Sequence, residues 1–127
     1  MTNASALLNK TEHGFNSLDV SQNYVNSALK WLDTWLTDDA FKDYVPQITY
    51  LIEAEKWAFL LDSFYQVIPF GTGGRRGLVG VGPNRINTWT IQASAQGHSQ
   101  YLIRQYGDQA KQRGVVLAFD VRKYIQK

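Results

Sequence analysis

The sequence contains no cysteine, which excludes disulfide bonds, thiolate nucleophiles and cysteine-ligated metals. It also has no long apolar run: none exceeds five residues, as in VVLAF at residues 115–119, whereas a membrane-spanning helix needs about 20. The first ten residues carry neither an apolar core nor a basic region, so they do not resemble a secretory signal. We therefore expect a soluble cytoplasmic protein with no membrane partner.

Positive charge is present in only a small excess. The formal net charge is +2, and apart from the neighbouring Arg75 and Arg76 the basic residues are spread along the chain. A nucleic-acid-binding domain usually concentrates lysine and arginine on one face, so we expect no nucleic-acid partner. What the chain does have is a 44% share of apolar residues over 127 positions, enough for the core of one domain.

The beginning of the chain predicts a leader and then a helix. Residues 1–20 are polar and lack a sustained period, which predicts a loose leader with a helical turn over residues 4–8. Ser21 is a suitable N-cap for the first long helix. That helix is predicted to run to about Leu36, because apolar residues recur at every third or fourth position.

A second helix is predicted with Pro46 in its first turn and an apolar face that continues to Tyr65. Together the two helices define a helical segment over residues 21–68. The tryptophans in it are interpreted as core residues, because aromatic side chains at helical spacing usually bury area between helices. These tryptophans are Trp31, Trp35 and Trp57.

From residue 69 the composition changes, and the remainder predicts an α/β fold. Five glycines within residues 70–80 exclude a helix interior, where each would cost about 1 kcal/mol relative to alanine. The run at residues 115–119 is apolar on both faces, as in a central parallel strand. The predicted elements are a strand at residues 78–82, a helix from about Thr88 to Tyr106 ended by Gly107, a further turn at residues 108–113 and a strand at residues 115–119.

Strand, helix and strand make a βαβ unit, whose crossover should be right-handed. Two parallel strands do not form a sheet that is stable on both faces, so we interpret residues 69–127 as an incomplete α/β domain. The chain is therefore expected to be a fragment whose open sheet edge can associate with other chains.

The glycine-rich loop, FGTGGRRG at residues 70–77, is the first candidate site. Backbone N–H groups of a glycine-rich turn can converge on an anion, and arginine adds a charged fork that matches phosphate. The spacing fits neither a Walker P-loop nor a Rossmann fingerprint. On local chemistry alone, a phosphate or carboxylate contact and a plain turn with solvent-exposed arginines are equally supported.

Asp120 and Arg122 form the second candidate, because they follow the predicted strand at residues 115–119. Ligands of open α/β sheets bind at the carboxyl ends of strands. Asp120 could orient an arginine or a sugar hydroxyl and Arg122 could hold a phosphate, although an Asp–Arg pair that closes the loop is the simpler interpretation. His13 and His98 have no partner at metal-ligand spacing, so no metal site is predicted within this chain.

Several ordered blocks of the sequence resemble the α-D-phosphohexomutase family. The loop FGTGGRRG is similar to the opening signature FGTxGxRG of that family. The later blocks resemble the branch with phosphoglucomutases, phosphomannomutases and phosphopentomutases of the GxxNRxN type. They are GVGPNRIN at residues 80–87, AQG at residues 95–97, YL at residues 101–102, RGVV at residues 113–116 and FDVR at residues 119–122.

The resemblance implies an N-terminal part of domain I of a three-layer α/β/α enzyme. Such enzymes interconvert sugar 1-phosphates and 6-phosphates, or pentose 1- and 5-phosphates, through a phosphoserine and a bisphosphorylated intermediate. It implies a phosphorylated sugar as substrate, Mg²⁺ as cofactor and a sugar bisphosphate as activator. The implied lining of the substrate and phosphoserine comprises Thr72, Gly73, Gly74, Arg76, Asp120 and Arg122.

Two departures from the family pattern stand out. Arg75 replaces a residue that is usually apolar, so its side chain should point to solvent or to a phosphate. The serine loop, the metal loop, the sugar-selecting loop and the C-terminal phosphate-binding domain have no counterpart in the sequence. We therefore expect the parent to be an intramolecular phosphotransferase and this chain alone to be inactive. The alternative is a free-standing domain that binds a phosphorylated ligand or a protein without catalysis.

Overall fold

The computed structural model describes residues 3–119, and within them the regular structure is helical. The chain divides into two units, Met1–Gln92 and Ala93–Lys127. The helices, in chain order, are α1 (Asn3–Asn16), α2 (Gln22–Thr37), a 3₁₀ helix η1 (Asp39–Tyr44), α3 (Val45–Glu53), α4 (Trp57–Phe64), α5 (Thr88–Tyr106) and α6 (Asp108–Arg113).

The first long helix, α2, is confirmed with its cap. The Ser21 hydroxyl accepts a hydrogen bond from the Asn23 N–H at 3.4 Å, which satisfies one of the free donors at the helix start. The helix ends at Asp38, whose carboxylate accepts from the Ala40 N–H at 2.9 Å and so begins η1. Asp38 thus ends α2 and caps η1. The turn places Phe41 against the buried Trp35, and the centroids of the two rings are 4.5 Å apart.

The prediction of a loose leader is wrong. Residues 3–16 form a complete helix, α1, which buries Leu7, Thr11, Gly14 and Phe15. The burial is possible because α1 packs on α2, α3 and α4 rather than standing alone. Gly14 lies so close to the indole of Trp57 that a Cβ at this position would be 2.3 Å from the ring. The signal is weak in the sequence, since only a narrow stripe of α1 is apolar and small residues form part of it.

The single second helix is also corrected. It begins as predicted with Pro46 in the first turn, but it breaks between α3 and α4. Glu55, in the break, has φ of 54°, a left-handed conformation that a helix cannot contain. The break redirects the chain, so that Ile52 of α3 and Leu60 of α4 both reach the core.

The core of the first unit lies among α1, α2, η1, α3 and α4. Trp35 is fully buried and contacts Phe41, Tyr44, Phe64 and Trp89 with its ring. The predicted role of the tryptophans as core residues is confirmed, with Trp31 and Trp57 half-buried at its margin. The other buried apolar residues are Leu7, Phe15, Val25, Ala28, Leu32, Phe41, Ile48, Ile52, Leu60, Leu61, Phe64, Ile68 and Val81.

The predicted incomplete βαβ unit is not present in residues 3–119. The helix at Thr88–Tyr106 and the further turn, α6, are confirmed, and Gly107 ends the helix with φ of 55°. The predicted strand at residues 78–82 amounts to an isolated bridge between Val79 and Ile86.

The segment at residues 115–119 has no regular secondary structure and no strand partner among the described residues, and Val116 is 98% exposed. A strand exists only when a neighbour takes up its backbone hydrogen bonds, and residues 3–119 supply none.

Candidate functional site

The glycine-rich loop is built around a tight turn. Gly71 and Gly74 exchange two backbone hydrogen bonds, of 2.8 and 3.0 Å, across the turn. The two residues between them have positive φ, 47° at Thr72 and 76° at Gly73, as a type I′ turn requires. Glycine adopts this conformation freely, whereas at Thr72 it is uncommon and costs on the order of 1 kcal/mol. Such local strain is often retained at binding sites.

The loop presents its polar groups to solvent. Thr72, Gly73, Arg75 and Arg76 are exposed, and Gly74 is half-buried. Arg75, whose side chain is predicted to point to solvent or to a phosphate, is exposed. The sequence-predicted residues Thr72, Gly73, Gly74 and Arg76 therefore lie in one accessible loop, in which the turn is followed directly by two arginines, an arrangement that can contact an anion. Asp120 and Arg122 lie outside the described residues.

Both ends of this loop are attached to the segment that follows it. At the entry, the Ile68 N–H donates to the Pro83 carbonyl oxygen at 2.9 Å. At the exit, the Ile86 N–H donates to Leu78 at 2.8 Å and the Gly80 N–H donates to Ile86 at 3.1 Å. The two ends also meet directly, because a Cβ on Gly77 would lie 2.7 Å from the Ile68 side chain. The loop is therefore exposed at its tip and fixed at its base.

The segment at residues 80–87, which we call the anchor segment, is in turn fixed to α4. The Asn84 N–H donates to the Ser63 carbonyl oxygen at 3.0 Å, and its side-chain amide donates to the Asp62 carbonyl oxygen at 2.7 Å. Gly82 passes so close to α4 that a Cβ there would be 2.3 Å from the Ser63 carbonyl oxygen. The segment thus follows the end of α4 at backbone contact distance.

An ion pair between a buried guanidinium and an exposed carboxylate joins the same two elements. The Arg85 Nη2 donates to the Asp62 carboxylate at 2.5 Å, and the Arg85 side chain is only 4% exposed. Its Nη1 donates to the Asn84 carbonyl oxygen at 3.1 Å, and the guanidinium lies 5.1 Å from the ring centre of Phe59. The Arg85 Nε has no hydrogen-bond partner within residues 3–119. A buried guanidinium depends strongly on its carboxylate, because an unpaired buried charge is very costly.

The anchor segment ends in a helix cap. The Asn87 carboxamide oxygen accepts from the Thr90 N–H, and the Thr90 hydroxyl accepts from the Asn87 N–H, both at 3.0 Å. This is the reciprocal geometry of a capping box at the start of α5. The Asn87 side-chain amide also donates to Gly80 and Gly82 at 2.9 Å each. Asn87, at the end of the anchor segment, is therefore hydrogen-bonded to the beginning of the same segment.

Sequence reasoning identified the loop residues but missed the residues that hold the loop. Asn84, Arg85 and Asn87 were identified only as part of the GVGPNRIN block of the resemblance, and Asp62 lies in the helical segment at residues 21–68 without a predicted role. Asp62 and Arg85 are 23 positions apart, so no local spacing pairs them. The one available signal was compositional, an isolated Asn-Arg-x-Asn string directly before a predicted helix.

The resemblance implies Mg²⁺ as cofactor, but its metal loop has no counterpart in this sequence. Within residues 3–119 no three histidine, cysteine, aspartate or glutamate side chains come together as ligands. The His13 Nδ1–H donates to the Asn9 carbonyl oxygen at 2.8 Å within α1, and His98 is exposed. The described residues therefore do not fit Mg²⁺. None of the described helices combines the length and apolar character that crossing a bilayer demands.

Comparison with known proteins relates the chain to phosphosugar mutases. It is 36% identical over 96 residues to a phosphopentomutase of Mus musculus. It is 35% identical over 92 residues to a phosphoglucomutase of Staphylococcus saprophyticus, and 36% identical over 91 residues to a glucose 1,6-bisphosphate synthase of Mus musculus. These alignments cover 72 to 76% of this chain but only 14% of each relative.

Two further comparisons found no match: no family model fits the chain, and no solved structure is significantly similar to it. The similarity to the mutases is compatible with an α/β parent domain. The chain is therefore homologous to phosphosugar mutases over about three quarters of its own length, and it spans about one seventh of theirs.

Proposed function

We propose that this chain is part of a phosphosugar mutase and that its glycine-rich loop contacts a phosphoryl group during the reaction. The parent enzyme interconverts a sugar 1-phosphate and a 6-phosphate, or the corresponding pentose phosphates, through a phosphoserine and a bisphosphate. It is cytoplasmic, belongs to the phosphoglucomutase, phosphomannomutase and phosphopentomutase branch, and uses Mg²⁺ and a sugar bisphosphate activator. The relatives' names differ in their sugar, so the substrate is assigned only as a phosphorylated sugar.

The observation that carries the proposal is the exposed turn with Arg76 on a fixed base. A phosphoryl group carries negative charge on oxygens that accept hydrogen bonds, which backbone N–H groups and guanidinium forks donate. In the proposal, Arg76 donates to the phosphoryl oxygens and Thr72, Gly73 and Gly74 line the group. Asp120 and Arg122 are proposed to complete the contact. Phosphoryl transfer needs little else than positioning and charge stabilisation from such groups.

The loop contact is tested by titration of the chain with α-D-glucose 1-phosphate and with inorganic phosphate, followed by NMR. We expect shifts concentrated at residues 71–77. Arg76→Ala should weaken binding about tenfold, because it removes a charge-assisted hydrogen bond. Lys30→Ala removes the same charge from the exposed face of α2 and serves as the matched control. Equal weakening by both variants would show a general charge effect and contradict a specific contact at the loop.

Catalysis is tested separately, because we propose that this chain alone does not turn over substrate. The chain is assayed for conversion of α-D-glucose 1-phosphate with Mg²⁺ and a sugar bisphosphate present. In parallel, a chimera is made in which the region of the chain aligned over 96 residues replaces the corresponding part of the Mus musculus phosphopentomutase. We expect no turnover by the chain and measurable turnover by the chimera. Turnover by the chain itself would place a nucleophile within these 127 residues and contradict the proposal.

A non-catalytic phosphate- or protein-binding domain is the second candidate. One observation favours it: the helices α1 to α4 bury a core of their own, with Trp35, Phe15 and Phe64 fully buried. If the chain binds phosphate and folds cooperatively, while a correctly folded chimera has no mutase activity, this candidate replaces the first.

A further inference from the structure

We infer that Arg85 and Asp62 are positioning residues: their ion pair holds the glycine-rich loop where Arg76 can meet a phosphoryl group. The inference rests on the proposed function, since it concerns the same loop. It assigns a role to two residues outside the loop. They are 23 positions apart in the sequence, so their pairing is seen only in the structure.

The first step is that both ends of the loop are bonded to the anchor segment. The backbone hydrogen bonds at its entry and exit involve Pro83 and Ile86. These two residues flank Asn84 and Arg85 in the anchor segment. Any displacement of the anchor segment therefore moves the entry and the exit of the loop together.

The second step is that Arg85 is the charged link between the anchor segment and α4. Its two terminal nitrogens reach the Asp62 carboxylate, the Asn84 carbonyl oxygen and, at 3.5 Å, the Asp62 carbonyl oxygen. A planar guanidinium can hold these acceptors at once, which a lysine ammonium on a flexible chain cannot reproduce. On the other side, the Thr90 hydroxyl donates to the Arg85 carbonyl oxygen at 2.8 Å, which ties the same residue to α5.

The third step is that Arg85 acts through the loop and not by touching the ligand. The residue is only 3% exposed, so a dissolved phosphate has no access to its guanidinium. The Asp62 side chain, by contrast, is 56% exposed and can be replaced with little disturbance of packing. Asp62 is therefore the better residue at which to remove the link.

The test compares Asp62→Asn, Asp62→Glu and the control Glu55→Gln in the full chain. Glu55 pairs with Lys10 of α1 at 3.6 Å and is 64% exposed, so it matches Asp62 in charge and exposure but has its ion pair with α1 instead of the anchor segment. Two quantities are measured by NMR: affinity for inorganic phosphate, and amide hydrogen exchange at Gly71 and Gly74. Far-ultraviolet circular dichroism and tryptophan fluorescence report whether the helices and their core are retained.

We expect Asp62→Asn to weaken phosphate binding about tenfold. This is the lower end of the loss in affinity seen at metal sites when a residue that orients a ligand, without binding the metal itself, is replaced. Exchange at Gly71 and Gly74 should accelerate, while the helical signal stays unchanged. Asp62→Glu keeps the carboxylate and should restore most of the affinity, and Glu55→Gln should bind like the original chain. Equal phosphate affinity in Asp62→Asn and the original chain would overturn the inference and leave the proposed function standing.

Two other outcomes also test the inference. If the original chain binds no phosphate, the proposed loop contact is wrong. The amide exchange rates of Gly71 and Gly74 then decide whether the ion pair orders the loop. Equal rates in Asp62→Asn and the original chain would overturn the inference. If Asp62→Asn does not fold, the double variant Asp62→Asn with Arg85→Met replaces it, because removing both charges avoids an unpaired buried guanidinium. A folded double variant with unaltered affinity and exchange would equally overturn it.

Discussion

At the scale of single residues, Gly82 marks the closest approach of the anchor segment to α4. Its φ of 113° is one that side chains rarely adopt, and an added Cβ would lie 2.3 Å from the Ser63 carbonyl oxygen. The contact is with backbone, which cannot rotate away as a flexible side chain can. Gly82 is therefore required by two independent constraints, conformation and space.

Gly82→Ala is accordingly expected to lower the free energy of unfolding by about 3 kcal/mol. Urea denaturation followed by tryptophan fluorescence measures it, since all four tryptophans lie between residues 31 and 89. Gly71→Ala is the control, because no atom lies within 4 Å of a Cβ built there and φ is not positive. A loss for Gly82→Ala no greater than that for Gly71→Ala would show that the segment does not contact α4 so closely.

At the scale of elements, the N-terminal caps of α2 and α5 differ in the number of hydrogen bonds that they form. Ser21 begins α2 with one long hydrogen bond at an exposed position. Asn87 begins α5 with a reciprocal pair and also bonds the carbonyl oxygens of Gly80 and Gly82. The cap of α5 is therefore part of the anchor segment as well as part of the helix.

We expect Asn87→Ala to destabilise the chain by about 2 kcal/mol, at the upper end for caps, and Ser21→Ala by about 0.5 kcal/mol. Both are read from urea midpoints with the unfolding slope checked for change. Asn87→Ala should also broaden the NMR signals of residues 71–77, whereas Ser21→Ala should not. Equal effects of the two variants would argue that Asn87 is an ordinary cap.

At the scale of the whole molecule, the two units differ in burial. The first has a core, and its Arg85 is 3% exposed. None of residues 93–119 is buried, and apolar side chains at residues 115–119 face solvent. Backbone that is not packed against a core opens at low free-energy cost.

Limited digestion with trypsin should therefore cleave after Arg104, Lys111 and Arg113 well before it cleaves after Arg85. Mass spectrometry of timed samples gives the order of cleavage. Arg76, which is exposed in the glycine-rich loop, provides an internal reference for an accessible site. Cleavage after Arg85 as early as after Arg113 would mean that the anchor segment is not held on α4.

Much of the helical part was predictable because its determinants are local. Ser21, Pro46 and Gly107 fix helix ends through their own backbone preferences, and the stripe from Val25 to Trp35 faces the core as its spacing predicts. The leader was mispredicted because α1 is stable only against its neighbours, with Gly14 under Trp57. The strands were mispredicted because apolar sequence specifies burial, while a strand also needs a partner for its hydrogen bonds.

The sequence by itself determined the start of α2, the start of α3 and the end of α5, the tryptophan core and the identity of the loop residues Thr72, Gly73, Gly74 and Arg76. These follow from neighbours in the chain, and local physics suffices for them. Only the tertiary structure decided that the loop is held at both ends and that Arg85 reaches Asp62 across 23 positions. Such contacts depend on how α4 and the anchor segment pack, and a side chain's spacing along the chain does not encode its partner in space.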